Sequence, residues 1–203
     1  MPKPDINTCD RVLIVEGKDD LSFFAELLEW LDNGAGVWIE HVGGKSRLPA
    51  TIKAMFRPAI RTKRAVAVIA DADENPQGTA QSLAHHLSTI TGQNVTSGAF
   101  TQGTPRIGLF VVPHDQPGEI ETLVWQSWAG DPSNAEQRTC VESYLACMDA
   151  QGQRAHSPDK GKLGALLAVR NDEDPRLGPG ARAHVFDFNR PELAPLVAFL
   201  RGF

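Results

Sequence analysis

The first half of the chain alternates between short, mainly apolar runs and longer stretches in which apolar residues recur every three or four positions. Residues 11–15 form the first run, largely β-branched, and Leu21, Phe24, Ala25, Leu28 and Leu31 then repeat at helical spacing. Residues 37–42 form the second, which ends in Gly43-Gly44-Lys45 and leads to a helix with Leu48, Ile52 and Phe56 on one side. The third run, 65–70, precedes a helix over 79–90 whose face carries Leu83, Leu87 and Ile90, with Thr79 as its cap. Residues 107–112 are the fourth. Strands that are apolar at every position are buried on both faces, the condition of a parallel sheet covered by helices on either side. The pattern predicts an α/β fold with a mostly parallel sheet of about four strands.

After Pro113 the pattern turns helical. Residues 119–128, 136–148 and 160–169 read as helices, and Pro191 suits the first turn of a last one. Residues 171–182, with two prolines, two glycines and mixed charges, read as a surface loop before the short apolar run 185–188. The expected organisation is an α/β core over 1–115 and a mainly helical portion over 116–203, packed together as one compact domain. A chain of 203 residues is long enough for one well-buried core.

Two acidic patches give this frame its chemistry. Glu16-Gly17-Lys18-Asp19-Asp20 follows the first strand and Asp71-Ala72-Asp73-Glu74-Asn75 follows the third. In parallel α/β sheets ligands bind beyond the carboxyl ends of the strands, where both patches fall. Carboxylates gathered there repel one another until cations or protons relieve them. Glu16, Asp71 and Asp73 are therefore the core of a candidate divalent-metal site, with Asp20 one helical turn beyond Glu16. A plainer role is also open: Asp19 and Asp20 cap a helix and favour its dipole, while Asp71 and Asp73 sit in a solvated loop. Asp19 and Glu74 are read as bystanders.

Charge and composition narrow the partners. The formal net charge of -5 gives no global attraction to nucleic acid, so a phosphate-bearing substrate must be met by a local basic patch or by bound metal. Lys18, Lys45 and Arg47 follow the first two strands and share the acidic edge, which makes them the phosphate-contact candidates. Lys53, Arg57, Arg61, Lys63 and Arg64 precede the third strand, at the opposite edge, and read as a solvated helix end. Cys9, Cys140 and Cys147 form no Cys-x-x-Cys pair and stand near no histidine at zinc-ligand spacing, so buried or half-buried free thiols are expected. Tyr144, the single tyrosine, falls in an apolar helical pattern and is expected in the core, and the four tryptophans stand at core-compatible spacings. No apolar stretch approaches the roughly 20 residues of a membrane span, and the N-terminus has no apolar signal core; a cytoplasmic location is the expectation.

Val12-Leu13-Ile14-Val15-Glu16-Gly17 and Ile69-Ala70-Asp71-Ala72-Asp73 resemble the two motifs of the Toprim domain. That domain is the metal-binding module of topoisomerases, bacterial primases, recombination proteins and overcoming-lysogenization-defect (OLD) nucleases. The resemblance covers about residues 10–115. It implies Mg²⁺ or Mn²⁺ held by Glu16, Asp20, Asp71 and Asp73. Glu119-Ile120-Glu121 and Lys160-Gly161-Lys162 resemble features that in OLD-type nucleases add a metal-binding acid and a catalytic lysine. On that resemblance Glu119 or Glu121 joins the ligands, and Lys162, with Glu16, is the catalytic choice, although Lys160 is the alternative. The whole chain looks most like stand-alone Toprim-related proteins. The resemblance implies a metal-dependent phosphodiester hydrolase acting on DNA or RNA, or else a non-catalytic metal- and phosphate-binding module that works with a partner such as a separate ATPase.

Other motifs fail on spacing. Gly44-Lys45-Ser46 mimics the end of a phosphate-binding P-loop, but Ile39 stands where its first glycine is required.

Overall fold

The computed structural model describes residues 5–44, 47–55 and 58–203, so Lys45, Phe56 and Arg57 lie outside the described residues. Four strands, β1 (Arg11–Val15), β2 (Val37–His41), β3 (Ala65–Asp71) and β4 (Arg106–Val112), form one parallel sheet in the order β2-β1-β3-β4. Between them run α1 (Lys18–Trp30), α2 (Leu48–Met55), α3 (Pro58–Arg61) and α4 (Pro76–Thr91). After β4 come α5 (Ile120–Ala129), α6 (Ala135–Ala150), α7 (Pro158–Arg170), α8 (Leu177–Arg182) and α9 (Ala194–Arg201).

Alternation along each strand sends side chains to two separate cores. Leu13, Val15, Ala67, Ile69, Phe110 and Val112 face the core built with α1, α5, α7, α8 and α9. Val12, Ile14, Val66, Val68, Ile107 and Leu109 face the other, built with α2 and α4 through Leu48, Ile52, Leu83 and Leu87. Both faces are covered, which is why the strands are apolar throughout. The helices after β4 share the first core with the sheet and with α1. Among the described residues no helix is long and apolar enough to cross a membrane.

This winding creates one special crevice. The chain leaves β1 into α1 on one face of the sheet and leaves β3 into α4 on the other, although β1 and β3 are neighbours. The backbone therefore parts at the carboxyl ends of these two strands, the position at which open α/β sheets bind ligands.

Several expectations are corrected. The stretch expected as a loop contains α8, with Leu177, Gly178, Gly180 and Ala181 buried. Its glycines serve close approach rather than a turn: a Cβ on Gly178 would collide with the Ser22 Cβ and stand 3.0 Å from the Phe23 nitrogen of α1. Gly178→Ala is thus expected to force α1 and α8 apart and to cost about 1–3 kcal/mol in chemical denaturation; an unchanged midpoint would show that the helices can separate freely. Asn75, not Thr79, caps α4, its side chain accepting from the Gly78 N–H at 2.8 Å beside Pro76 in the first turn. Lys63 is no solvated helix end, since it is buried and its Nζ donates to the carbonyls of Ile6 (2.5 Å) and Cys9 (2.6 Å). Tyr144 is 54% exposed on α6, which buries none of its residues fully, and Cys140 and Cys147 on the same helix are exposed. Trp125 and Trp128 are buried as expected, whereas Trp30 is exposed at the end of α1 against Phe188.

Candidate metal centre

Glu16 is the first residue beyond β1, and it is only 8% exposed. Its backbone carbonyl accepts the N–H groups of Gly43 (3.0 Å) and Gly44 (3.2 Å), which tie the end of β2 to it. Its Oε1 accepts the backbone N–H of Asp71, the last residue of β3, at 3.1 Å. The Asp71 Oδ1 in turn accepts the N–H of Ile120 at 3.0 Å. Ile120 opens α5, so this carboxylate lies at a helix N-terminus, where backbone N–H groups favour negative charge. Asp20 is fixed by a different bond: its Oδ2 accepts the Gly17 N–H at 2.7 Å and closes the first turn of α1.

Glu119 and Glu121 bring the next element to the same place. Glu119 precedes α5, with its N–H bonded to the Thr122 Oγ1 at 3.2 Å. Gly118 makes the approach possible, because its φ of +142° and the Thr122 Oγ1 2.6 Å from any Cβ exclude another residue. From α7, Lys160 reaches Glu119 Oε2 at 2.7 Å and Glu121 Oε1 at 3.6 Å, and Ser157, which caps that helix, donates its hydroxyl to Glu119 Oε1.

The electrostatics follow from this crowding. Burial, then the charges of Asp20, Glu16 and Glu121, push Asp71 up to about 8 against the opposing Ile120 N–H. Burial also pushes Glu121 up to about 7, with Lys160 opposing and Glu119 and Asp20 adding to the rise. Asp20 is raised too, mainly by burial, while the Gly17 N–H and Lys160 pull it down. Burial works against the charge of Lys160, but the hydrogen bond to Glu119 and the charges of Glu121, Glu119 and Asp71 hold it protonated well above the ordinary lysine range.

The donors suit a hard divalent cation. All are carboxylate oxygens, as Mg²⁺ and Mn²⁺ prefer, and the Glu121 Oε2 is buried with no hydrogen-bond partner. The cluster carries more negative charge than one lysine balances. Among the described residues, however, no three His, Cys, Asp or Glu side chains already stand at metal-holding spacing, and Lys160 occupies the ground between Glu119 and Glu121.

A family model described as a protein of unknown function, DUF3226, matches residues 10–203. The chain belongs to the DUF3226 family. Its fold is similar to the C-terminal region of the Xanthomonas campestris pv. campestris OLD protein, with a TM-score of 0.50 and 17% identity over 95% of this chain and 94% of that one. It is equally similar to the C-terminal region of the Burkholderia pseudomallei OLD protein, with a TM-score of 0.50 and 15% identity over 95% of this chain and 97% of the other. At such identities the likeness is one of fold. No curated protein matches the sequence.

The other expected residues of this DUF3226 chain have the following places. Asp73 is exposed, and with Glu119, Ser157 and Asp159 it lines a groove of about 750 Å³ beside the cluster. Its backbone is left-handed (φ +52°) and clamped to Gly118 by two bonds, Asp73 N–H to carbonyl at 2.8 Å and the reverse at 2.7 Å. Lys162 points elsewhere than Lys160, pairing with Asp159 at 2.8 Å and lying over the Trp125 ring at 5.6 Å. Lys18 and Arg47 are exposed on the acidic edge, Arg47 within 3.6 Å of where a Gly43 Cβ would stand, and Lys45 is outside the described residues. Asp19 and Glu74 are exposed. Ser157 is the participant that no motif marks; its sequence signal is the cap-proline pair Ser157-Pro158, which places Lys160 in the first turn of α7.

Proposed function

We propose that this DUF3226 protein is a Toprim-type phosphodiester hydrolase that uses Mg²⁺ or Mn²⁺ to cleave DNA or RNA. The observation that carries this reading is the convergence of Glu16, Asp71, Asp20 and Glu121 on the β1–β3 crevice, buried enough to raise Asp71 to about 8. Glu16, Asp71 and Glu121 would hold the cation, with Asp20 beside them. When bound, a divalent cation supplies Lewis-acid activation of water and neutralisation of charge on the phosphate.

The remaining residues act on the substrate directly. Lys160 is protonated and already inside the site, so it is placed to donate to a phosphate oxygen as negative charge develops, with Glu119 and Ser157 orienting it. Lys18 and Arg47 would hold flanking phosphates of the strand. Asp73 and Asp159 line the neighbouring groove and would repel a misplaced phosphate.

A second reading is favoured by the position of Lys160. A lysine that pairs with two of the acids offsets part of their charge and leaves the rest to a cation, as a non-catalytic metal- and phosphate-binding module working with a partner protein would require. A separate ATPase is a candidate partner, since the similar OLD segments are C-terminal regions of their proteins.

Supercoiled plasmid, single-stranded DNA and single-stranded RNA incubated with the full chain and Mg²⁺ or Mn²⁺ separate the readings. Cleavage that stops in EDTA and falls on the order of a thousandfold in Glu16→Gln is expected. Calorimetric metal binding with no turnover on any substrate would support the partner-dependent module, and absence of metal binding would sink both.

A further inference from the structure

The acidic centre lies at the N-termini of α1, α5 and α7, and the opposite ends of the same three helices meet at a second site. A cavity of about 360 Å³ is walled there by Trp30 of α1, Ser127 and Trp128 of α5, Arg170 of α7, and the segment 184–190. Helix α1 alone, with 13 residues, separates the two ends by roughly 20 Å. The cavity is thus distinct from the metal centre.

Two buried polar groups there are unanswered. Ser127 is fully buried, and its hydroxyl has no hydrogen-bond partner although it lines the cavity. The Nε of Arg190 is likewise buried without a partner, and its guanidinium stands 3.7 Å from Asp131 and 3.5 Å from Glu192, longer than charge-assisted hydrogen bonds. Buried donors left unmade are costly in a protein built only for stability. A ligand that enters the cavity would answer both.

The lining defines that ligand. The Trp30 indole, exposed and set edge-on to Phe188, offers stacking surface for a planar ring, and the buried rings of Trp128, Phe186 and Phe188 back the wall. Arg170, exposed at the end of α7, and Arg190 offer guanidinium groups suited to phosphate. Asp131 and Asp187 offset these two charges, so a plain anion finds no excess of positive charge. A nucleobase edge, by contrast, presents donors and acceptors together and can use carboxylate, hydroxyl and guanidinium at once. We propose that the cavity is a binding site for a nucleoside monophosphate, the base on the Trp30 indole with Ser127 on its edge, and the phosphate at Arg170 and Arg190. The volume falls within the range of small-ligand sites.

Calorimetry on the full chain in EDTA, which removes metal from the acidic centre, tests this with AMP, GMP, CMP and UMP. At least one is expected to bind with Kd below about 1 mM, with the matching nucleoside and inorganic phosphate each weaker by on the order of tenfold. Arg170→Ala should weaken binding by on the order of tenfold. Ser127→Ala should weaken it about fivefold without lowering the melting temperature, because it deletes a hydroxyl that bonds nothing in the free protein. Absence of binding to all four, inorganic phosphate binding as tightly as the nucleotide, or affinity unchanged in both variants would each overturn the proposal.

Discussion

Asp71→Asn is expected to lower metal-dependent cleavage at least about a thousandfold and, at pH 8 without metal, to raise the melting temperature of the protein. The loss follows from deleting the central negative charge of the crevice. The gain follows from the same deletion, because burial and the charges of Asp20, Glu16 and Glu121 hold Asp71 up at about 8. At pH 8 a substantial fraction of Asp71 is ionised against that opposition, and more so above it. An amide removes the charge but keeps an oxygen for the Ile120 N–H. Relief of roughly 1–3 kcal/mol would shift the melting temperature by about 2–10 °C. Asp71→Ala provides the contrast: it also removes the charge but leaves the Ile120 N–H without its acceptor, at a cost of about 1–3 kcal/mol, so its gain should shrink or vanish. Differential scanning calorimetry and plasmid cleavage on the same preparations read both effects. Wild-type cleavage by Asp71→Asn would end the metal reading. A melting temperature no higher than wild type in the asparagine variant would show that the carboxylate is not held against repulsion.

Such a trade of stability for function would explain why part of the candidate site is legible in the sequence. Glu16 and Asp71 stand out by position, because they lie at the ends of two neighbouring buried strands, where gathered carboxylates repel one another. The strands are legible for a related reason, since burial on both faces removes polar residues from 11–15 and 65–70 alike. The features that stay hidden depend on how elements dock. Lys160 and Lys162 are two residues apart on one helix, about 200° around its axis, so only the packing of α7 on α5 decides which enters the acids. Asp73 takes a left-handed backbone that no spacing rule anticipates. Helix α8 is masked by Gly178 and Gly180, residues that usually mark loops and here permit contact with Ser22 of α1 and Leu167 of α7. Lys63 is masked as well, because an ammonium group satisfied by two backbone carbonyls looks, in sequence, like any surface charge.

The acids also make the stability of the metal-free protein depend on pH in an unusual direction. Most native carboxylates are stabilised as anions, so ordinary proteins gain stability as pH rises from acid toward neutrality. Asp71 and Glu121 are the reverse, with folded values of about 8 and about 7 against ordinary values near 4. The folded protein holds protons that the unfolded chain releases, so their contribution is complete below about pH 4 and is lost as pH rises through 7 to 8. Asp20, raised as well, acts in the same sense. Lys160 adds nothing to this window, because it stays protonated in both states throughout. In EDTA, wild-type melting temperature is therefore expected to decline from pH 6 to pH 8.5 relative to Asp71→Asn, whose amide cannot ionise, and the difference between the two isolates Asp71 from the groups that titrate in both proteins. Millimolar Mg²⁺ or Mn²⁺ should reverse the wild-type decline, since a cation that binds only the folded state stabilises it by about 2.7 kcal/mol at a hundredfold excess over its Kd. The reversal should be steepest above pH 7, where Glu121 and then Asp71 give up the protons that compete with the cation. Parallel curves for wild type and Asp71→Asn in EDTA would mean that repulsion in the crevice is relieved by some means other than protons. A metal-induced rise of equal size in both proteins would place the bound cation away from Asp71.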